Sequence, residues 1–111
     1  MGEGLNGRAL EALVEEARAG SRVAFAAIYR GLAPEVARTL ASFAGPDRAT
    51  LDDLVQDVFV RVVERLDRYR SGGSFRPWLF TIALNVGRNH TRRERLRRSG
   101  VDATGAAGDE V

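Results

Sequence analysis

TLDDLVQDVFVRVVERLDRY, residues 50–69, decides the fold. Its apolar members Leu51, Leu54, Val55, Val58, Phe59, Val62, Val63, Leu66 and Tyr69 recur at alternating steps of three and one, closing on steps of three. That is the spacing of one face of a helix and not of a strand, whose faces alternate every second residue. The segment is rich in valine, a residue with weak intrinsic helix propensity, so burial of the stripe must stabilise it. Thr50 with Asp53 three residues on predicts a cap at the start. Asp52, Asp53, Gln56 and Asp57 gather at the same end, where the helix dipole favours negative charge.

Working outward, the preceding chain predicts two more helices. Leu10, Leu13, Val14 and Ala17 make a first stripe from Arg8, closed by Gly20. Ser21 offers a cap for a second helix with the stripe Phe25, Ile28, Tyr29, Leu32, Val36, Leu40 and Phe43. Pro34 predicts a bend or break there, and Gly45-Pro46 an end. The longest loop is expected near residues 44–50. On the other side, Ser71-Gly72-Gly73 reads as a loop and Ser74 as the cap of a fourth helix, with Pro77 in its first turn. In that helix Phe75, Trp78, Leu79, Ile82 and Val86 form a stripe that stops at Val86. The first half should pack on the body and the second should project. The fold class is all-α, a compact bundle of three to four helices with a projecting basic C-terminal helix. Three glycines in residues 1–7 predict a flexible N-terminus, residues 8–98 the domain, and residues 99–111 a linker-like tail.

Composition narrows the function. The chain has 111 residues, no cysteine and one histidine, His90. That excludes a disulfide scaffold, a thiol nucleophile and a Cys-ligated metal, and makes a His-based metal site or a Ser/His/Asp triad very hard to build. No cofactor or metal is expected. Asp52, Asp53 and Asp57 lack an accompanying nucleophile or phosphate loop, so a catalytic role is remote and the chain is read as a non-enzyme. No membrane span or signal peptide is legible, which makes a cytoplasmic location the default.

The net charge of +2 conceals an imbalance. Six of the seventeen arginines fall between Arg88 and Arg98, with Glu94 as the one acid among them. Arginine near a helix C-terminus also suits the dipole, so a solvated helix end is one reading; this density favours nucleic acid. Asn85, Arg88, Asn89 and Arg92 share a helical face, the arginines fitted to phosphates and the asparagines to base edges. Tyr69, Phe75, Trp78 and Phe80 precede them. Core packing is the favoured reading for Phe75 and Trp78, while Phe80 lies off the stripe and is the better candidate for exposure. His90 reads as a surface polar residue.

DLVQDVFVRVVERLDRYRSGGSFRPWLFTIALNVGRNHTRRERLRR, residues 53–98, resembles region 2 of the bacterial sigma-70 family in its extracytoplasmic-function (ECF) branch, and residues 21–45 resemble region 2.1 of the same family. The pairing of DLVQDVF with SFRPWLFTIALN carries the likeness. The resemblance implies a promoter-recognition domain that docks on RNA polymerase core through the clamp helices of the β′ subunit. The polymerase contacts would be Asp53, Gln56 and Asp57, with Phe59, Val60 and Val63 as apolar neighbours. It also implies capture of a flipped base of the −10 element, on the non-template strand, by Arg70 to Phe75 with Ser74 and Asn85. The Arg-rich helix, with Arg88, Asn89, Arg92, Arg93 and Arg95, would run along the promoter. Positions equivalent to the family's duplex-wedging tryptophans are Thr81 and Ile82, which implies weak melting and stringent promoter choice. The family's region 4 has no counterpart in the tail, so an isolated domain piece is expected. An anti-sigma factor is a further partner the resemblance implies. The competing reading is a helical interaction module whose Arg-rich helix binds such an acidic partner.

Overall fold

The computed structural model describes residues 6–70 and 74–100. Among these, four α-helices and no strand are present: α1 (Gly7–Arg18), α2 (Arg22–Ala44), α3 (Arg48–Arg65) and α4 (Phe75–Arg98), with a 3₁₀ turn at Leu66–Arg68. The all-α expectation is met. The glycine loop at 71–73 and residues 1–5 and 101–111 of the expected termini lie outside the described residues. Asn6 and Gly7, expected to be flexible, instead cap and begin α1; Asn6 Oδ1 accepts the Ala9 amide at 2.9 Å.

α2 is the hub and packs against α1, α3 and α4. Its inner positions Ile28, Leu32, Val36 and Leu40 are buried at every turn. They meet Leu10 and Val14 from α1, Leu54, Val58 and Val62 from α3, and Leu79, Ile82 and Val86 from α4 in one core. Truncating any fully enclosed leucine here to alanine costs ~2–5 kcal/mol, because the packed surroundings collapse only partly into the void.

Four expectations about the helices need correction. Pro34 does not break α2. It is exposed, as is Arg30 one turn earlier, so the carbonyl deprived of its donor lies on the outer face within reach of water. The cap of α3 is Asp47 and not Thr50: Asp47 accepts from the Ala49 amide at 3.1 Å and from the Thr50 hydroxyl at 2.7 Å. The Thr50 bond, then the Ala49 amide, hold the Asp47 carboxyl below the usual carboxylate range. Consequently α3 starts earlier and the α2–α3 connection is only residues 45–47, with Gly45 at φ +73°. Finally, α3 stops at Arg65, and Leu66 and Tyr69 reach the core from the 3₁₀ turn and the extended residue after it.

Ser21 behaves as expected, accepting the Ala24 amide at 3.0 Å, and Gly20 takes the left-handed φ of +108°. Ser74 occupies the cap position of α4 without a side-chain cap bond. The cause is Pro77. A cap serine bonds the second or third amide of the helix, and the third here belongs to a residue with no N–H. The first amide of α4, that of Phe75, is instead taken by the Glu11 carboxylate of α1 at 3.1 Å. A forked pair from Arg76 to Glu35, both contacts 3.1 Å, ties the same end of α4 to α2, and this bond pushes the guanidinium pKa upward.

Candidate nucleic-acid and polymerase interfaces

α4 keeps one helical period throughout and presents two faces along its C-terminal half. Asn85, Arg88, Arg92 and Arg95 are all exposed, at spacings that align them in a single outer stripe. Gly87 is buried, and His90, Thr91 and Glu94 are half-buried on the opposite side. These last three line a groove with Phe43, Gly45, Pro46, Asp47 and Thr50 at the α2–α3 connection. The basic half of α4 therefore does not simply project, as its sequence suggests; it rests on the body by its inner face. Gly87 is what permits this. A methyl group there would overlap the Phe43 ring. His90 belongs to this inner groove and not to the arginine stripe.

Within residues 88–98, Arg97 pairs with Glu94 one turn away, at 3.4 Å, and Arg92 reaches Asn89 Oδ1 on the same helix at 3.4 Å. Among the described residues, Arg88, Arg93 and Arg95 make no ion pair. The segment thus keeps a strong local positive charge, able to attract an anionic partner.

The other expected nucleic-acid residues divide. Arg70 and Ser74 are exposed and Asn89 and Arg93 half-exposed. Phe75 is 1% exposed. Its ring packs against Tyr69 at 5.3 Å and Trp78 at 5.4 Å, so it anchors the end of α4 and does not offer a stacking surface to a base; this corrects the expectation. Phe80, expected outside, is half-buried against the core. Thr81 is exposed with its hydroxyl donating to the Pro77 carbonyl, while Ile82 is buried in the core.

Asp53, Gln56, Val60 and Val63 follow one another at helical spacing on the outer face of α3, all exposed. Val60 and Val63 are 52% and 57% exposed, an apolar pair left uncovered beside polar neighbours. Val63 was read as part of the inner stripe as well as a partner contact; it lies outside. Phe59 is buried, its ring meeting Phe25 edge-on at 6.4 Å and Tyr29 at a tilt at 4.7 Å, and offers no surface. The acids are unequal. Asp52 faces Arg48 at 3.5 Å and Asp57 faces Arg61 at 3.4 Å, which offsets part of their charge, whereas Asp53 has no ion pair among the described residues. The described residues hold no cluster of potential metal ligands and no helix long and apolar enough to cross a membrane.

Sequence reasoning missed Glu11 entirely. It flanks the α1 stripe as an ordinary helix-surface acid, and its partners are 58 and 64 residues away, so no local spacing announces it. Gly87 carries a readable signal, a glycine inside an otherwise strong helix, which marks close approach.

Residues 28–97 match the family described as sigma-70 region 2. The chain belongs to that family. The RNA polymerase sigma factor NccH of Alcaligenes xylosoxydans xylosoxydans is 37% identical over 87 residues, 78% of this chain and 46% of NccH. CarQ of Myxococcus xanthus, also an RNA polymerase sigma factor, is 37% identical over 82 residues, 74% of this chain and 47% of CarQ. The ECF RNA polymerase sigma factor BldN of Streptomyces coelicolor is 35% identical over 86 residues, 77% of this chain and 32% of BldN. These relatives agree with the ECF assignment. The sigma region 2 domain described here spans about half or less of the length of each.

Proposed function

We propose that this sigma region 2 domain recognises the −10 promoter element on the non-template strand while docked on the β′ clamp helices of RNA polymerase core. The observation that carries the reading is the exposed arginine stripe of α4, accompanied by a second exposed face on α3. The arginine stripe of α4 tracks a phosphate backbone, with Asn85 at its inner end to read a base edge. The Asp53–Val63 face of α3 offers a helix partner one exposed acid, one amide and two bare valines. Arg70 and Ser74, both exposed, would meet the extruded base, a step whose cost of about a few kcal/mol is offset by pocket contacts. The chain's chemistry is binding and not catalysis, and it would act in the cytoplasm, where the transcribing enzyme and promoter are.

Two measurements test this. Capture of a β′ clamp-helix peptide by the immobilised chain should be lost in Gln56→Ala and Asp53→Arg and retained in Arg88→Ala. Binding of single-stranded DNA, followed by fluorescence anisotropy, should show the reverse pattern and weaken steeply with salt. Capture unaffected by both α3 substitutions, or DNA binding indifferent to salt, overturns the assignment. The second result, joined to tight binding of an acidic protein, would give the arginine stripe to an inhibitory partner.

A further inference from the structure

One carboxylate oxygen governs both sides of the connection between α3 and α4. Glu11 Oε2 accepts the Tyr69 hydroxyl at 2.8 Å and the Phe75 amide at 3.1 Å. Tyr69 is the last buried residue before Arg70, and Phe75 the first after Ser74. Their rings meet edge to face at 5.3 Å, and Trp78 closes the cluster on Tyr69 at 5.2 Å. The two exposed polar residues Arg70 and Ser74 are therefore each attached to an anchor, and the two anchors share a single acceptor. Ser74 is also relieved of capping duty: Pro77 removes the usual donor, and Glu11 satisfies the first amide from outside the helix. Its hydroxyl makes no hydrogen bond among the described residues.

The other oxygen, Glu11 Oε1, is buried without a hydrogen-bond partner among the described residues. The carboxylate is therefore only half satisfied, and what it does bond are two donors on either side of the α3–α4 connection; removing it would leave the Tyr69 hydroxyl and the Phe75 amide without their acceptor. Beyond its share in stability, the carboxylate fixes where Tyr69 and Phe75 sit. We infer that Glu11 is a positioning residue for base recognition, fixing Arg70 and Ser74 relative to one another through Tyr69 and the first amide of α4. The inference rests on the reading that this end of the molecule meets promoter DNA, and it adds α1 to a recognition device otherwise built from α3 and α4.

The test uses the whole chain. Wild type is first used to select a preferred sequence from a pool of randomised single-stranded oligonucleotides, and affinities for that sequence and a scrambled one are then compared across variants at temperatures where far-UV circular dichroism shows each folded. Glu11→Ala should lower the preferred-to-scrambled ratio roughly tenfold, equivalent to about 1.4 kcal/mol of coupling in the contact network. Its affinity for the scrambled strand and its salt slope should stay unchanged, because the arginine stripe is untouched. Glu11→Gln keeps a carbonyl acceptor and should retain most of the ratio, an outcome that a purely electrostatic role for the charge would not give. Should Glu11→Ala fail to fold, Tyr69→Phe, which removes one hydroxyl from the network, should still reduce the ratio. A folded Glu11→Ala or Tyr69→Phe with the full ratio overturns the inference and leaves the DNA-binding assignment standing. A wild-type chain that selects no sequence removes base reading itself, and this inference with it, while capture of the clamp helices would be unaffected.

Discussion

The two halves of α4 follow the same helical period on different terms. Between Phe75 and Val86 the inner face is leucine, isoleucine and phenylalanine enclosed by three other helices. From Gly87 onward the inner face is glycine, histidine, threonine and glutamate resting on one turn of backbone. The first half is fixed by burial, the second by continuity of the helix and by a close approach that glycine alone permits. A helix can thus extend a rigid charged stripe beyond its own core, provided the residues under the stripe stay small and polar enough not to demand burial.

The sharpest way to test that contrast is to remove equal volume from each half. Leu79, fully enclosed, should cost ~2–5 kcal/mol on mutation to alanine, read as a drop in denaturant midpoint. Leu96, half-exposed in the second half, should cost under about 1 kcal/mol by the same measurement. Equal losses would mean the two halves are equally packed. At the junction, Gly87→Ala forces a methyl into the Phe43 ring; it should cost about 1–3 kcal/mol through overpacking, despite the better helix propensity of alanine. A stabilised Gly87→Ala would show that the basic half is free of the body.

The base of α4 has its own signature in pH. Burial first, and then the bond to Glu11, push the Tyr69 hydroxyl from 10.0 up to about 12. Its folded form thus holds its proton after the unfolded form has lost it. The associated stability is complete below pH 10 and is lost as pH climbs through 12, by about 2–3 kcal/mol. Chemical denaturation across that window should show the decline, and Tyr69→Phe should flatten it. The smallest effect on stability is expected on the outer stripe. Arg88→Ala and Arg95→Ala should each change unfolding by no more than about 0.5 kcal/mol, while each lowers the salt slope of DNA binding by about one.

What the sequence disclosed, and what it hid, follows from the range of each interaction. The helices and the inner stripe were legible because periodicity is local: Leu32, Val36 and Leu40 announce their face from their own spacing. The arginine stripe was legible for the same reason. The cap of α3 was placed at Thr50 because spacing does not show that Asp47, three residues earlier, accepts both the Ala49 amide and the Thr50 hydroxyl; Ser74 was placed correctly at the start of α4, though without the side-chain bond a cap usually makes. Phe75 was assigned to a base pocket through family likeness, while its own position on the apolar stripe pointed correctly to the core. Phe80 was placed outside because one helix's stripe does not reveal that three helices surround it. Glu11 could not be read at all, since its two donors arrive from more than fifty residues downstream.

The Glu11 contact changes what counts as the minimal unit. The family match begins at residue 28, after α1 has ended. A piece trimmed to that boundary would keep every arginine of the stripe and the exposed Asp53–Val63 side of α3, yet lose the acceptor shared by Tyr69 and Phe75, along with the core contributions of Leu10 and Val14. The shortest segment retaining that acceptor together with the first helix's own cap starts at Asn6. Shorter versions would be expected to hold DNA with blunted discrimination, a grip without a grammar.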